Sequence, residues 1–214
     1  MASRRSSPYV YATWLSKLLV GDQVCEWAAW FRAHFERYEK APSSFDSAGW
    51  KMAHTALLDR KYRQLVEAGH SVTMEGQNWF RLKGKCATLG GKPDLIGLNG
   101  KGTICEVKTG QPKPSDHTQT MIYMWAIPLA LPKYAGVKFD GLVVYPDHEV
   151  RIPAESVDAT FVENLAGLIK RVSAEAQARR VPSTDECRFC DLTPKDCTER
   201  IEAQSEEMLT TAEF

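Results

Sequence analysis

Up to Gly69 the apolar residues recur three and four apart; the chain then breaks into short alternating runs and returns to helical spacing after Ser115. Tyr11, Trp14, Leu15, Leu18 and Leu19 share one helical face after Pro8, until Gly21-Asp22 interrupts it. A second helix is predicted from Gln23 to about Tyr38, stopping near Ala41-Pro42. Ser43 or Ser44 offers an N-cap for a third helix through Trp50, His54, Leu57, Leu58, Leu65 and Val66, with Gly69 as its natural end.

From His70 to Gly110 the chain is rich in glycine and β-branched residues, and four strands are predicted near 71–75, 78–83, 93–98 and 103–108. Ser115-Asp116 starts a helix carrying Gln119, Tyr123 and Trp125 to about Leu131-Pro132. Phe139–Tyr145 reads as a buried strand, Val150–Pro153 as a short one, and Ala154–Arg180 as the last long helix. Helices flanking a central mixed sheet imply an α/β fold. The length suits a single domain: a helical part 8–69, a sheet with helices 70–180, a cysteine segment 181–200 and a polar tail 201–214. No internal repeat or low-complexity tract appears.

Charge narrows the possibilities. Twenty-seven basic and 27 acidic residues cancel, so any nucleic-acid contact must come from a local patch or from bound metal. No apolar run reaches bilayer-spanning length, and MASRRSSPYV lacks the apolar stretch of a secretory signal, so a soluble protein of the cytoplasm with no membrane partner is expected. In that compartment cysteines serve as free thiols or metal ligands rather than disulfides. Three of the six lie between Cys187 and Cys197, while Cys25, Cys86 and Cys105 are scattered.

The densest candidate chemistry is the stretch KPDLIGLNGKGTICEVK, from Lys92 to Lys108. Asp94 and Glu106 offer hard oxygen ligands for Mg²⁺ or Mn²⁺, and Lys108 offers a cation for a growing phosphate charge or an attacking water. Glu106 and Lys108 share a strand face, but Asp94 joins them only in the right register. A two-residue turn at Asn99-Gly100 would pair Asp94 with Cys105 and turn Glu106 away. A three-residue loop Gly100-Lys101-Gly102, with Gly102 left-handed, would pair Asp94 with Lys108 and bring all three together, so such a loop or a compensating bulge is expected. The alternative is a turn aspartate followed by solvated edge-strand charges. Cys105 is expected to face the other way and pack.

Cys187, Cys190 and Cys197 form C-x₂-C-x₆-C, a spacing that reads as metal or cluster ligation. Three ligands are one short of a closed site, and no histidine follows His148 to complete a zinc centre.

Lys92-Pro93-Asp94 followed by Glu106-Val107-Lys108-Thr109-Gly110 resembles the PD-(D/E)XK nuclease superfamily, and within it the RecB-like exonuclease branch. That branch adds a Q-x-x-x-Y motif after the lysine strand, matched by Gln119 to Tyr123, and a metal-binding histidine on an upstream helix, for which His54 is the candidate. The family often has glycine four residues before that histidine; here Trp50 holds the place. Some members, including AddB and the fourth CRISPR-associated protein family, hold a [4Fe–4S] cluster on one N-terminal and three C-terminal cysteines. That resemblance implies Cys25 with Cys187, Cys190 and Cys197 as ligands, joining the chain ends like a clamp, with a zinc knuckle on the last three as the alternative. Glu26 stands where the family commonly has proline.

The resemblance implies a restriction-endonuclease-like core and a Mg²⁺- or Mn²⁺-dependent deoxyribonuclease acting on DNA, especially single-stranded ends, in repair, recombination or CRISPR spacer acquisition. His54, Asp94, Glu106 and the Val107 carbonyl would hold metal, Lys108 would serve the reaction, and Gln119 and Tyr123 would position it or touch DNA. No Walker-type motif is present, so a helicase or CRISPR-adaptation partner would supply any motor. Arg32, Arg37, Lys83, Lys85, Lys92 and Lys113, with Trp79 and Phe80, are candidates for a basic, stacking-capable lining. Two other readings are a DNA-end-binding or scaffold subunit and an iron–sulfur redox sensor.

Overall fold

The structure is a computed structural model describing residues 2–43 and 45–202. In chain order the strands are β1 (Ser3–Arg4), β2 (Tyr9–Tyr11), β3 (Phe35–Glu36), β4 (Ser71–Met74), β5 (Phe80–Lys83), β6 (Thr88–Gly91), β7 (Leu95–Asn99), β8 (Lys101–Val107), β9 (Phe139–Val144) and β10 (Glu149–Ile152). The helices are α1 (Ala12–Leu19), α2 (Glu26–His34), α3 (Ser47–Glu67), α4 (Glu75–Asn78), α5 (Pro114–Ala130), α6 (Ala159–Val172) and α7 (Thr184–Arg188). Among the described residues no helix is long and apolar enough to cross a membrane.

The main sheet has the order β10-β9-β8-β7-β4. It is mixed: β8 and β9 run parallel, which requires the crossover that α5 supplies, and the other pairs are antiparallel. Alternation along β8 sends its residues to opposite sides. Ile104 packs in the cluster that includes Ile122 and Ile127 of α5, whereas Cys105 and Val107 pack with Leu57, Leu58 and Leu65 of α3. Cys105 is fully buried, as its expected inward packing requires.

A three-stranded sheet, β2-β6-β5, stands beside it. The run Tyr9–Tyr11, assigned to helix by its spacing, instead pairs with β6 in parallel. β6 itself escaped the sequence pattern because two of its four residues are Gly90 and Gly91. A side chain at Gly91 would come within 2.6–2.9 Å of the Tyr123 and Phe80 rings, so a strand that reads as a turn is set by close approach.

Other boundaries moved for tertiary reasons. The cap of α3 is Asp46, whose carboxylate accepts from the Gly49 amide at 3.0 Å, in place of Ser43; Ser44 lies outside the described residues. α2 stops at His34 because Phe35 and Glu36 pair with β1, and Arg37 turns the chain with φ of 57°. The helix predicted through Arg180 ends at Val172. Beyond it the backbone serves α2: the Ala174 carbonyl accepts from Trp30 Nε1 at 2.7 Å and the Arg179 carbonyl from the Trp27 amide at 3.0 Å. The Arg180 guanidinium lies over the Trp27 ring at 4.2 Å. Two buried tryptophans thereby outweigh the intrinsic helix preference of Ala174 to Arg180.

Candidate active site

The hairpin between β7 and β8 decides whether the acidic residues can meet. Its register runs out to the pair Asn99↔Lys101, which leaves Gly100 alone at the tip of the turn. The odd length agrees with the expected parity, but the loop lies one position earlier than predicted. Gly100 is the left-handed residue (φ 66°), while Gly102 is a strand residue whose missing side chain makes room for Phe139 and Val137. The register runs through Leu95↔Cys105, so one step further Asp94 faces Glu106 rather than Lys108. All three side chains remain on one side because the shift is even.

At this end of the sheet lies a cleft of about 910 Å³, lined by His54, Glu75, Lys92, Asp94, Glu106, Lys108, Gln119 and Tyr123 among others. Asp94 is buried; its Oδ2 accepts from the Val107 amide at 2.7 Å and lies 3.4 Å from His54 Nε2. That pairing, against the effect of burial, raises the His54 pKa. His54 comes from α3, and the Trp50 ring one turn earlier lies 5.0 Å from the imidazole, restricting its rotation. The residue that departs from the family pattern thus braces the histidine.

Glu106 is 5% exposed. Its Oε1 accepts two hydrogen bonds, from Lys108 Nζ at 3.0 Å and Gln119 Nε2 at 2.6 Å, whereas its Oε2 is buried without a partner. Burial, then the nearby Asp94, raises its pKa. For Lys108, burial works against the charge, but Glu106, Asp116 and Asp94 outweigh it and raise its pKa above the ordinary lysine value. Lys108 is therefore held as an ammonium, suited to stabilising negative charge rather than accepting a proton. Gln119 Oε1 accepts from the same ammonium at 3.0 Å, and its Nε2 reaches the Tyr123 hydroxyl at 3.1 Å. The i, i+4 pair on α5 acts on the lysine and glutamate from within.

A buried carboxylate with one oxygen unpartnered, on a residue lining the same cleft as His54 and Asp94, is the donor chemistry expected for a hard divalent cation. His54, Glu75 and Asp94 each offer a ligand atom, and these lie within 4.8 Å of one another, so the residues fit such an ion. The profile of the PD-(D/E)XK nuclease superfamily matches residues 15–194. The chain belongs to that superfamily. Among curated proteins none matches it. Fourteen solved chains resemble it, two of them as follows. One is the protein SSO0001, at 18% identity over 88% of this chain and 85% of that one, with a TM-score of 0.43. The other is an alkaline exonuclease from Laribacter hongkongensis, at 16% identity over 78% of this chain and 89% of that one, with a TM-score of 0.46.

In this superfamily member two features of the site lay outside the sequence reading. Glu75 ended a predicted strand, and nothing in its spacing marked it. Asp116, read only as a helix start, accepts from the Tyr145 hydroxyl at 3.0 Å and lies 3.9 Å from Lys108. The expected basic lining is reduced. Arg32 is buried and paired with Asp191 at 2.7 Å, and Phe80 is a core residue against Tyr123. In exchange, Lys17 lies near Lys108 and Lys113: burial first, then Lys113, Arg32 and Lys108, lower its pKa. Trp79, Trp50 and Phe45 line the cleft and are exposed.

A second site gathers the cysteines. Cys25, at the start of α2, and Cys187, Cys190 and Cys197 line one narrow cavity with Arg32, Arg180 and Arg200. The Ile201 amide lies 3.3 Å from Cys187 Sγ, and Arg32 Nη2 3.9 Å from Cys190 Sγ. Four thiols with amide and guanidinium donors are the donor set suited to an anionic thiolate-ligated metal or cluster. Cys86 is exposed and far from this group in sequence.

Proposed function

We propose that the protein is a metal-dependent deoxyribonuclease, an exonuclease acting on single-stranded DNA ends in the cytoplasm. The observation that carries this reading is Glu106, with one oxygen fixed by Lys108 and Gln119 and the other buried without a partner, in the cleft that Asp94 and His54 also line. His54, Asp94, Glu106 and the Val107 carbonyl would hold Mg²⁺ or Mn²⁺. When bound, such an ion polarises a phosphate and acidifies a coordinated water. The chain's residues supply the rest. Lys108, kept charged, steadies the phosphate oxygens as they gain charge. Gln119 holds Lys108 and Glu106 in fixed relation, and Tyr123 holds Gln119. Asp94 is locked to the β8 backbone through the Val107 amide, so its carboxylate is held in place beside His54. Exposed Trp79, Trp50 and Phe45 offer faces on which unpaired bases can stack, which favours a single strand over a closed duplex.

Residues 1–214 would act as one nuclease domain, and Cys25, Cys187, Cys190 and Cys197 would hold a [4Fe–4S] cluster joining α2 to the C-terminal segment. A helicase or a CRISPR-adaptation complex would present the DNA.

The test is cleavage of end-labelled single- and double-stranded DNA with Mg²⁺, Mn²⁺ or chelator. Metal-dependent release of nucleotides from single-stranded ends, lost in Asp94→Ala and Lys108→Ala, is expected. Activity surviving in both purified variants would refute the assignment. Anaerobic reconstitution with iron and sulfide should give absorbance near 400 nm (about the value expected of thiolate-ligated clusters), dependent on Cys25.

A further inference from the structure

The small sheet β2-β6-β5 has one face in the core and one turned outward. Val10, Phe80 and Leu89 point inward and are buried. Strand alternation then puts Tyr9 and Tyr11 of β2, Gly90 of β6, and Arg81 and Lys83 of β5 on the opposite face, where Tyr11, Gly90 and Arg81 stand in register across all three strands. A side chain at Gly90 would collide with the Tyr9 ring and hydroxyl, so the glycine lets Tyr9 lie across the sheet. The Tyr9 and Tyr11 ring centroids are 5.0 Å apart, Trp79 follows at 6.2 Å from Tyr11, and the Arg81 guanidinium lies 5.6 Å from the Trp79 ring centre. Tyr11 and Trp79 also line the cleft, so this aromatic row begins at the cleft's edge.

The charge of this face is one-sided although the chain as a whole is neutral. No aspartate or glutamate occurs before Asp22 or between Glu75 and Asp94, the two stretches that supply the three strands. Arg4, Arg5 and Lys92 of these stretches are each paired with a carboxylate. Arg81 and Lys83 are exposed, and among the described residues neither joins an ion pair. We propose that this face is a second nucleic-acid contact outside the cleft: it holds the single-stranded DNA whose end occupies the cleft, stacking bases on Tyr9, Tyr11 and Trp79 and receiving phosphates on Arg81 and Lys83. Such a contact presupposes the single-strand nuclease reading and extends it beyond the cleft. A row of aromatic rings favours unpaired bases, whose faces are open, over those of a duplex, which are already stacked on one another. The flanking cations match a backbone with one negative charge per nucleotide.

Binding to the full chain is measured by fluorescence anisotropy with chelator present, so that no strand is cut. The probes are single strands of about 4 and about 12 nucleotides, the range of one single-strand site, and a blunt duplex of the longer length. The longer strand should bind at least about tenfold more tightly than the shorter one, and the double variant Arg81→Glu, Lys83→Glu should abolish that advantage. The slope of log affinity against log salt should fall in magnitude by about 1.4, since each phosphate contact of a single strand contributes about 0.7. Tyr9→Ala leaves the charges untouched and should weaken the longer strand about fivefold or more. Strands carrying iododeoxyuridine, irradiated in the complex, should crosslink to Tyr9 only when they are long enough to leave the cleft. Circular dichroism should show each variant folded. Equal affinity for both lengths, an unchanged advantage in the double variant, or equal binding of the duplex overturns the inference and leaves metal-dependent cleavage standing. Absence of metal-dependent cleavage from a chain that gives the Tyr9 crosslink overturns the nuclease reading alone.

Discussion

Gln119 and Glu106 are joined by a 2.6 Å hydrogen bond that occupies one oxygen of a buried carboxylate and leaves the other without a partner. Desolvating such an oxygen without compensation costs about 1–3 kcal/mol or more. A side chain so placed stores a cost that a ligand can relieve. α5 carries the donor, β8 the acceptor, and the parallel crossover between β8 and β9 places one against the other.

Gln119→Ala should therefore reduce the maximal cleavage rate about 10- to 100-fold, the usual effect of losing a residue that orients metal ligands. KM for DNA should change little, because Gln119 is buried and touches Lys108, Glu106 and Tyr123. Steady-state kinetics on a single-stranded oligonucleotide check this; a rise in KM at unchanged kcat would show that Gln119 contacts substrate instead.

Trp50→Gly restores the residue common in the family and removes the ring packed 5.0 Å from His54. Activity should fall, and the Mn²⁺ concentration giving half-maximal rate should rise several-fold (about 1 kcal/mol of lost restraint). A Trp50→Phe chain should retain most of the function, since a ring still faces the imidazole. Equal activity in both variants, at every Mn²⁺ concentration, would remove the bracing role.

Acid should loosen the cysteine end of the molecule before the nuclease end. Burial tends to raise the pKa of Asp191, but Arg32, Lys40 and Tyr38 outweigh it, and its folded pKa lies below the ordinary carboxylate value. Such a group stabilises fully above its unfolded pKa, and the contribution is lost as pH falls through the folded value. The loss should begin below about pH 4. Asp191→Asn should lower stability by about 1–3 kcal/mol at neutral pH and flatten the acid dependence, as read from denaturant midpoints at several pH values. An unchanged acid limb would exclude Asp191 as its source.

Thiol reactivity should sort by burial. Cys105, fully buried, has its pKa pushed up to about 12 by desolvation, while Cys86 is exposed. Brief alkylation of the native chain followed by peptide mass spectrometry should find Cys86 modified first and Cys105 last. Reconstitution with iron and sulfide should protect Cys25, Cys187, Cys190 and Cys197 together, and protection of only the last three would point to the zinc alternative.

Gly102→Ala should destabilise the chain by about 1–3 kcal/mol through overpacking. The new methyl would lie 2.5 Å from the ring of Phe139, the residue paired with Gly102 on β9, and 2.8 Å from Val137. Gly100→Ala meets no neighbour and strains only the left-handed turn, so its thermal midpoint should fall less.

Residue chemistry and local periodicity by themselves determined much of this protein. The alternation of β8 put Glu106 and Lys108 on one face, i and i+4 put Gln119 with Tyr123, and the close spacing of Cys187 and Cys190 put two thiols within one turn of each other. These relationships span less than one element or one turn, and backbone geometry fixes them locally. The tertiary structure decided what depends on neighbours distant in sequence. Only strand pairing could choose Gly100 as the tip of the turn and set Asp94 against Glu106. Only the docking of α2 could end the last long helix at Val172, and only the approach of Tyr123 and Phe80 could require the glycines of β6. Glu75 was invisible for the same reason. It stands nineteen positions before Asp94 along the chain, yet the pairing of Met74 with Leu95 brings the two to the same end of the sheet. A single sequence records which groups are available; the packing energy of the whole fold selects which of them meet.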